Sequence, residues 1–187
     1  HRTQNRPLPS GRMEPAYALL FALVISLAGF VELTFFVNLL TGLLGLYTLL
    51  SYLLIYTPLK MRSHHSTTIG AIPGAMPPLI GFAAARGTIT ADAWVLFLIL
   101  FLWQFPHFYA IGWMYREDYR RAGIRMLPVL DRDGEATAWH IVLFAVALVP
   151  ISLLPKFFDM SGKWDAAGAL ALGAVFLYTG IRVAQDC

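Results

Sequence analysis

Six long apolar stretches constrain this chain more than any other feature of its sequence. They cover residues 15–35, 39–56, 69–86, 92–112, 137–155 and 166–184. Each is close to the roughly 17–25 residues that a helix needs to cross the hydrocarbon core of a bilayer. Because that core offers the backbone no hydrogen-bond partner, helices are expected even where valine and isoleucine are frequent. We therefore predict an all-α, polytopic membrane protein with six transmembrane helices.

The composition supports a bilayer environment. Hydrophobic residues make up 58% of the 187 residues and charged residues 13%, whereas about 25% of the residues of soluble domains are charged. The single cysteine, Cys187, excludes an internal disulfide framework and a cysteine-based zinc site. The formal net charge is +3, and the basic residues lie mostly in loops between apolar stretches. This distribution indicates membrane topology and not a nucleic-acid partner.

The distribution of basic residues predicts the orientation of the chain. Alternate loops place eleven of the fourteen lysines and arginines on one side and three on the other. In a bacterial inner membrane this bias puts the richer side, with the long loops 56–68 and 113–136, in the cytoplasm. The chain begins with His1, and residues 1–12 lack the apolar core of a signal peptide. We expect an internal piece of a longer protein.

The third apolar stretch is unusual in its prolines and glycines. Pro73, Pro77 and Pro78 each remove a backbone donor, and Gly70 and Gly74 allow close helix approach. Irregular backbone at membrane depth is tolerated where it is buried or lines a cavity. We therefore predict that the stretch forms a cavity wall, with a kinked packing helix as the alternative.

Charged residues on the richer side indicate a phosphate-binding site. Lysine and arginine suit a diphosphate, which arginine can bind with two parallel hydrogen bonds. Carboxylates on the same side suit Mg²⁺, a hard cation that bridges protein carboxylates and phosphate oxygens. The basic candidates are Arg2, Arg6, Lys60 and Arg116, and the acidic ones are Glu117 and Asp118. Beside apolar spans, they predict a diphosphate that carries a long hydrocarbon chain.

Aromatic side chains near the end of the fourth stretch could line the chamber for that hydrocarbon chain. They are Trp103, Phe105, Phe108, Tyr109 and Trp113. Ring faces attract cations and could stabilise an allylic carbocation, although an interfacial aromatic belt explains single rings equally. His107 shares a helix face with Trp103, either as a buried hydrogen-bonded side chain or as a substrate or haem contact. His64 and His65 are adjacent in a loop, a spacing that is not typical of metal ligands.

Five sequence motifs resemble the UbiA-type membrane prenyltransferases, and together they cover nearly the whole chain in the order of that family. They are Arg2-Thr3-x-Asn5-Arg6-Pro7-Leu8, Tyr56-Thr57-Pro58-Leu59-Lys60, Gly74-Ala75-Met76-Pro77-Pro78-x-x-Gly81, Trp103-Gln104-Phe105-Pro106-His107-Phe108 and Arg116-Glu117-Asp118-Tyr119-x-x-Ala122-Gly123-x-x-Met126-Leu127-Pro128. The fourth and fifth motifs are similar to the branch that farnesylates haem, the haem O synthases.

The resemblance implies a helical bundle of about nine spans that transfers a farnesyl group from farnesyl diphosphate to a vinyl group of haem B. It implies Mg²⁺ as cofactor, held by two acidic motifs, and haem A synthase as a candidate partner. Residues 1–187 would then form a single transmembrane prenyltransferase domain that is incomplete at both ends. The first acidic motif, N-x-x-x-D-x-x-x-D, and the last helix or helices would lie outside it.

The same resemblance assigns roles to individual residues. Asp118, Lys60 and His107 are the predicted catalytic residues. Asp118 and Glu117 are the predicted metal ligands, with Asp118 preferred because Tyr115 and Tyr119 replace the spaced aspartates of other branches. The predicted substrate contacts are Arg2, Arg6, Lys60, Arg116, Trp103, Gln104 and Tyr119.

Two rival functions remain open. A sister prenyltransferase would act on an aromatic acid or a quinone precursor, and a substrate assay would separate it. A transporter or a structural membrane subunit would more naturally carry ionisable residues in the middle of its spans. In this chain the charges gather at the span ends.

Overall fold

A computed structural model describes residues 4–187, which leaves Arg2 outside the described part of the chain. Six of its helical segments are long and apolar enough to cross a membrane, as predicted. These spans are Pro15–Val37, Leu39–Leu59, Ser66–Arg86, Ala91–Met114, Glu135–Phe157 and Lys163–Gln185. Most begin or end a few residues beyond the apolar stretches, because polar residues at the ends of the apolar stretches are also helical.

The regular structure described in residues 4–187 is helical, which confirms the all-α prediction. The helices are α1 (Pro15–Val31), α2 (Leu39–Leu50), α3 (Thr57–Leu59), α4 (Ser66–Ala75), α5 (Pro77–Arg86), α6 (Ala91–Met114), α7 (Arg116–Arg121), α8 (Leu127–Leu130), α9 (Glu135–Ser152), α10 (Leu154–Phe157) and α11 (Lys163–Gln185). Two π-helical segments, Glu32–Val37 and Ser51–Tyr56, continue α1 and α2.

Consecutive spans pack against one another in sequence, so the chain forms a row of antiparallel helices. The turn between the first two spans is fixed by Asn38. Its Oδ1 accepts hydrogen bonds from the N–H and hydroxyl of Thr41, both at 2.9 Å, and its Nδ2 donates to Ala83 O at 2.8 Å. One side chain thereby caps α2 and ties the turn to α5.

The core lies where α4, α6 and α9 meet. Ala71, Phe105, Tyr109 and Ile141 form one buried cluster, and the rings of Phe105 and Phe144 stack with their centroids 4.0 Å apart. Stacked rings at this separation bury large apolar areas and fix the rotation of each helix about its axis. This contact determines which side chains of α6 face α9.

The third span is a kinked packing segment. It divides into α4 and α5 at Met76, whose φ and ψ of −66° and −27° keep the junction helical. Pro73, Ala75 and Leu79 are buried, and Gln104 of α6 donates a hydrogen bond to Ala71 O at 3.1 Å. The proline-containing part of this span therefore packs against α6, and a cavity wall stays a prediction for it.

Large apolar side chains cover much of the outside of the bundle. Phe36 is 83% exposed and Trp164 81%. Exposing many such side chains next to one another to water would be unfavourable. The two outermost spans have no buried residue in α1 or α11. Such a surface is the one that a lipid bilayer covers.

Candidate functional site

The two long loops of the basic side meet at one end of the bundle, which we call the basic end. It contains the C-terminal ends of the second and fourth spans and the short helices α7 and α8. The backbone N–H of Arg125 donates to the carbonyl oxygen of Lys60 at 2.8 Å. Gly123 stands at φ +72° in this turn, and a Cβ added there would lie 3.3 Å from Met61 Cε. A left-handed backbone and close approach both favour glycine at this position.

Lys60 is presented by the end of the second span. The π-helical segment Ser51–Tyr56 leads into α3, and Lys60 follows α3 directly. Its Nζ lies 6.0 Å from the centroid of the Tyr56 ring. Next to the hydrogen bond between Arg125 and Lys60, the N–H of Ile124 donates to Tyr119 O at 3.0 Å. The fold therefore brings the backbone at Lys60 and Tyr119, two predicted substrate contacts, to the same corner.

The two predicted acidic residues have different surroundings. Glu117 Oε2 lies 2.9 Å from Arg120 Nη1, and its Oε1 lies 3.8 Å from Arg121 Nε. Asp118 is exposed, and within residues 4–187 its carboxylate has no hydrogen bond or ion pair. Asp118 is the carboxylate of α7 that is available to an incoming ligand.

The carboxylates of Glu117 and Asp118 fit only one mode of Mg²⁺ binding. In the part of the chain that the structure describes, no three histidine, cysteine or acidic side chains are grouped to hold a metal ion. Mg²⁺ is often held by one or two carboxylates, with substrate phosphates and water completing its octahedron. Asp118 suits that mode, whereas Glu117 would first have to leave its arginines.

Arg116 is held at the end of the fourth span by aromatic contact. Its Cζ lies 4.0 Å from the centroid of the Trp113 ring, and Trp113 Nε1 donates to Asp186 O at 3.3 Å. Burial raises the pKa of the nearby Cys187 thiol, with Asp131 and Asp186 adding to the shift and Arg116 opposing it. A guanidinium stacked on a ring keeps its N–H edges free for an anion.

Arg6 is exposed, and no hydrogen bond or ion pair within residues 4–187 joins its side chain to Lys60 or α7. The structure therefore brings together Lys60, Tyr119 and the α7 segment, and a place for Arg6 beside them stays a prediction.

Trp103 and His107 form a stacked pair on α6. Their ring centroids are 4.7 Å apart and their planes differ by 15°. Residues four apart lie one above the other on a helix, and Pro106 does not interrupt α6 between them. The stack presents one continuous aromatic face.

This face lines an apolar groove between α6, α9 and α11. The groove consists of two adjoining cavities of about 610 Å³ and 180 Å³, both of which contact Phe176 and Thr179 of α11. Trp103 lines the larger cavity and His107 the smaller one, which extends along α6 to Met114. The groove thus runs from the middle of the fourth span to the basic end.

Gln104 is turned away from the groove. It is 6% exposed, and its Nε2 donates to Ala71 O at 3.1 Å and to Leu100 O at 3.2 Å. The structure gives its amide a packing role between α4 and α6, and a substrate contact for Gln104 stays a prediction.

Sequence reasoning did not find the contribution of the last span to the groove. Leu172, Phe176 and Thr179 stand at i, i+4 and i+7 on α11 and line one face of it. That spacing is visible in the sequence. It did not stand out because almost every position of this span is small or apolar.

Comparison with known proteins adds an independent result. A model of the UbiA prenyltransferase family matches residues 1–186. The chain is 61% identical over 186 residues to a protein of Solibacter usitatus named protoheme IX farnesyltransferase. Proteins with the same name from Koribacter versatilis and Myxococcus xanthus are each 46% identical to the present chain, over 182 and 179 residues.

These alignments cover 100%, 97% and 96% of this chain, but 64%, 59% and 60% of the three relatives. The chain therefore spans less than two thirds of the length of the curated relatives it matches. No solved structure matches it significantly. Since the family model extends over almost every residue, the chain is a member of the UbiA prenyltransferase family.

Proposed function

We propose that this chain is part of an enzyme that transfers a farnesyl group from farnesyl diphosphate to a vinyl group of haem B, which produces haem O. The carrying observation is the apolar groove that begins beside Trp103 in mid-span and ends at the basic end. An amphipathic donor with a hydrocarbon tail and a diphosphate head matches both ends of this groove. The three relatives named above support haem as the acceptor.

The polar end would bind the diphosphate. Arg116 offers its N–H edges from the Trp113 ring, and Lys60 offers an ammonium group beside Tyr56. Arg2, Arg6 and Tyr119 are further proposed contacts. Asp118 would hold Mg²⁺, which when bound neutralises charge on the diphosphate oxygens. Glu117 would instead keep Arg120 and Arg121 in place.

The transfer itself requires a leaving group, a nucleophile and a water molecule. The bond between the allylic carbon and diphosphate breaks, and the diphosphate leaves with the electron pair. The vinyl π electrons of haem then form the new carbon–carbon bond. Water adds to the resulting cation and releases a proton, which leaves a hydroxyethylfarnesyl group on the ring.

The residues of the groove would protect the cation. The faces of Trp103 and His107 stack into one surface on the tail side of the proposed allylic carbon, and ring faces attract cations. The apolar walls exclude water until the carbon–carbon bond has formed. We further propose that the protein lies in a bacterial inner membrane with the basic end in the cytoplasm, because lysines and arginines are concentrated there.

A substrate assay on the whole protein tests this proposal. Membranes that contain it are incubated with haem B, farnesyl diphosphate and Mg²⁺, and the pigments are separated and weighed by mass spectrometry. The expected product is heavier than haem B by a hydroxyethylfarnesyl group. Prenylation of a hydroxybenzoate or a quinone precursor, with haem unchanged, would refute the choice of acceptor and retain the family.

A further inference from the structure

A polar pocket lies at the basic end in addition to the groove, and the proposed transfer reaction makes no use of it. It has a volume of about 200 Å³, and its polar lining consists of His64, His65, Thr68, Tyr109 and His140. All five side chains can donate hydrogen bonds, and no carboxylate lines the pocket. This lining is suited to an oxyanion.

The pocket is separate from the groove. Tyr109 lines the pocket and His107 lines the groove. The two residues are two positions apart on α6, which places them about 200° apart around the helix. The pocket therefore opens on the opposite side of α6, between α4, α6 and α9.

The start of α4 adds donors beside the pocket. Ser66 and Thr67 are 1% and 5% exposed, and within residues 4–187 neither hydroxyl has a hydrogen-bond partner. His65, at the N-cap of this ten-residue helix, provides no side-chain cap. The N–H of Ser66 already donates to Ser63 O at 3.3 Å, while the other N–H groups of this first turn and the helix dipole favour an anion at this end. Buried hydroxyls without partners are rare in proteins, but Ser66 and Thr67 do not line the pocket, so they are donors next to it and not contacts within it.

His140 has a ring nitrogen available as well. Its Nδ1 lies 2.7 Å from the carbonyl oxygen of Ala136. Because a carbonyl oxygen only accepts, Nδ1 is the donor, and in the neutral ring Nε2 is then an acceptor. In the imidazolium form Nε2 also donates.

The remaining walls of the pocket are apolar. Leu127 and Phe144 complete the lining, and Trp139, beside His140, is 63% exposed, as is typical of aromatic residues at a membrane boundary. The pocket thus lies where a span begins, with donors on one side and hydrocarbon on the other. A free anion would use only the donors, whereas a phospholipid would use both.

We propose that this pocket binds a phosphate group, supplied by the head group of a phospholipid in the surrounding leaflet. The phosphate oxygens would accept hydrogen bonds from the histidines, Thr68 and Tyr109, and the glycerol backbone would contact Leu127 and Phe144. Basic pockets between transmembrane helices on the cytoplasmic side hold anionic head groups, and in this pocket histidines take the place of lysine and arginine.

Native mass spectrometry of the whole protein in detergent tests the proposal, with phosphatidylglycerol as the probe. The double variant His64→Ala/His65→Ala should bind one phosphatidylglycerol about 10-fold more weakly, because charge-assisted hydrogen bonds are lost. Tyr109→Phe, which removes a single hydroxyl, should weaken binding in the same direction. The matched control is Arg132→Gln, an exposed cation of the same end that does not line the pocket. Its affinity should stay within about twofold of the parent.

Three results would overturn the proposal. The first is unchanged binding by both pocket variants, and the second is an equal loss in the Arg132→Gln control. The third is equal binding of diacylglycerol, which lacks the phosphate. Displacement of the lipid by an equal concentration of inorganic phosphate would keep the phosphate site and refute the lipid as its source. If the double variant fails to fold, Tyr109→Phe decides between these outcomes.

Discussion

Replacement of Gly74 by alanine provides a sharp test of the packing between α4 and α6. A Cβ at this position would lie 2.1 Å from Gln104 Oε1 and 3.0 Å from its Cδ. Both contacts are too short, so the Gln104 amide would have to move. Movement would break its hydrogen bond to Ala71 O, 3.1 Å long, and disturb its second hydrogen bond, to Leu100 O.

The expected cost follows from three contributions. The disturbed hydrogen bonds of the buried amide cost about 1–3 kcal/mol and the overpacking about 1–3 kcal/mol, while alanine regains about 1 kcal/mol of helix propensity. We expect a net loss of about 3 kcal/mol in the free energy of unfolding. Sodium dodecyl sulfate titration of the purified protein in mixed micelles, followed by circular dichroism, measures that quantity.

Gly81→Ala is the matched control, because Gly81 lies in the same span and a Cβ there would meet nothing within 4 Å. It should be neutral or stabilising. In a Gln104→Ala background the Gly74→Ala change should lose most of its cost, since the clashing amide is gone. Parent-like stability of Gly74→Ala, or an undiminished cost in that background, would refute this account of the contact.

Three further predictions concern the proposed reaction and orientation. Asp118→Asn should reduce farnesyl transfer by orders of magnitude in the whole protein, whereas Glu117→Gln should reduce it much less. Equal turnover rates for these two variants would remove Asp118 from the metal site. Thr179→Phe should narrow the groove and reduce kcat/KM for farnesyl diphosphate more than for the shorter geranyl diphosphate. An equal reduction for both donors would place the hydrocarbon chain of the donor outside the groove. In a cysteine-free background, a membrane-impermeant thiol reagent should label Arg62→Cys from the cytoplasm and Thr88→Cys from the opposite side, and the reverse pattern would invert the proposed topology.

Much of the fold follows from local sequence. Each span is set by a run of apolar residues long enough to cross a bilayer, and the bilayer leaves the helix as the available state. For the same reason the six predicted spans agree with the structure to within a few residues. The basic residues gather at alternate span ends, which puts Lys60 and Arg116 on one side of the membrane before any packing is known.

Which side chains of different spans contact one another is visible only in the tertiary structure. These contacts depend on how each helix is rotated about its axis and on which helix it packs against. Trp103, Gln104 and His107 are close in sequence, yet the two rings line the groove and the amide packs against α4. The pocket at His64 and His140 joins residues far apart in the chain. The sequence by itself determined the spans, their likeness to a family and the polar groups at their ends. The tertiary structure decided which of those groups meet, since helix rotation is fixed by core contacts such as that between Phe105 and Phe144.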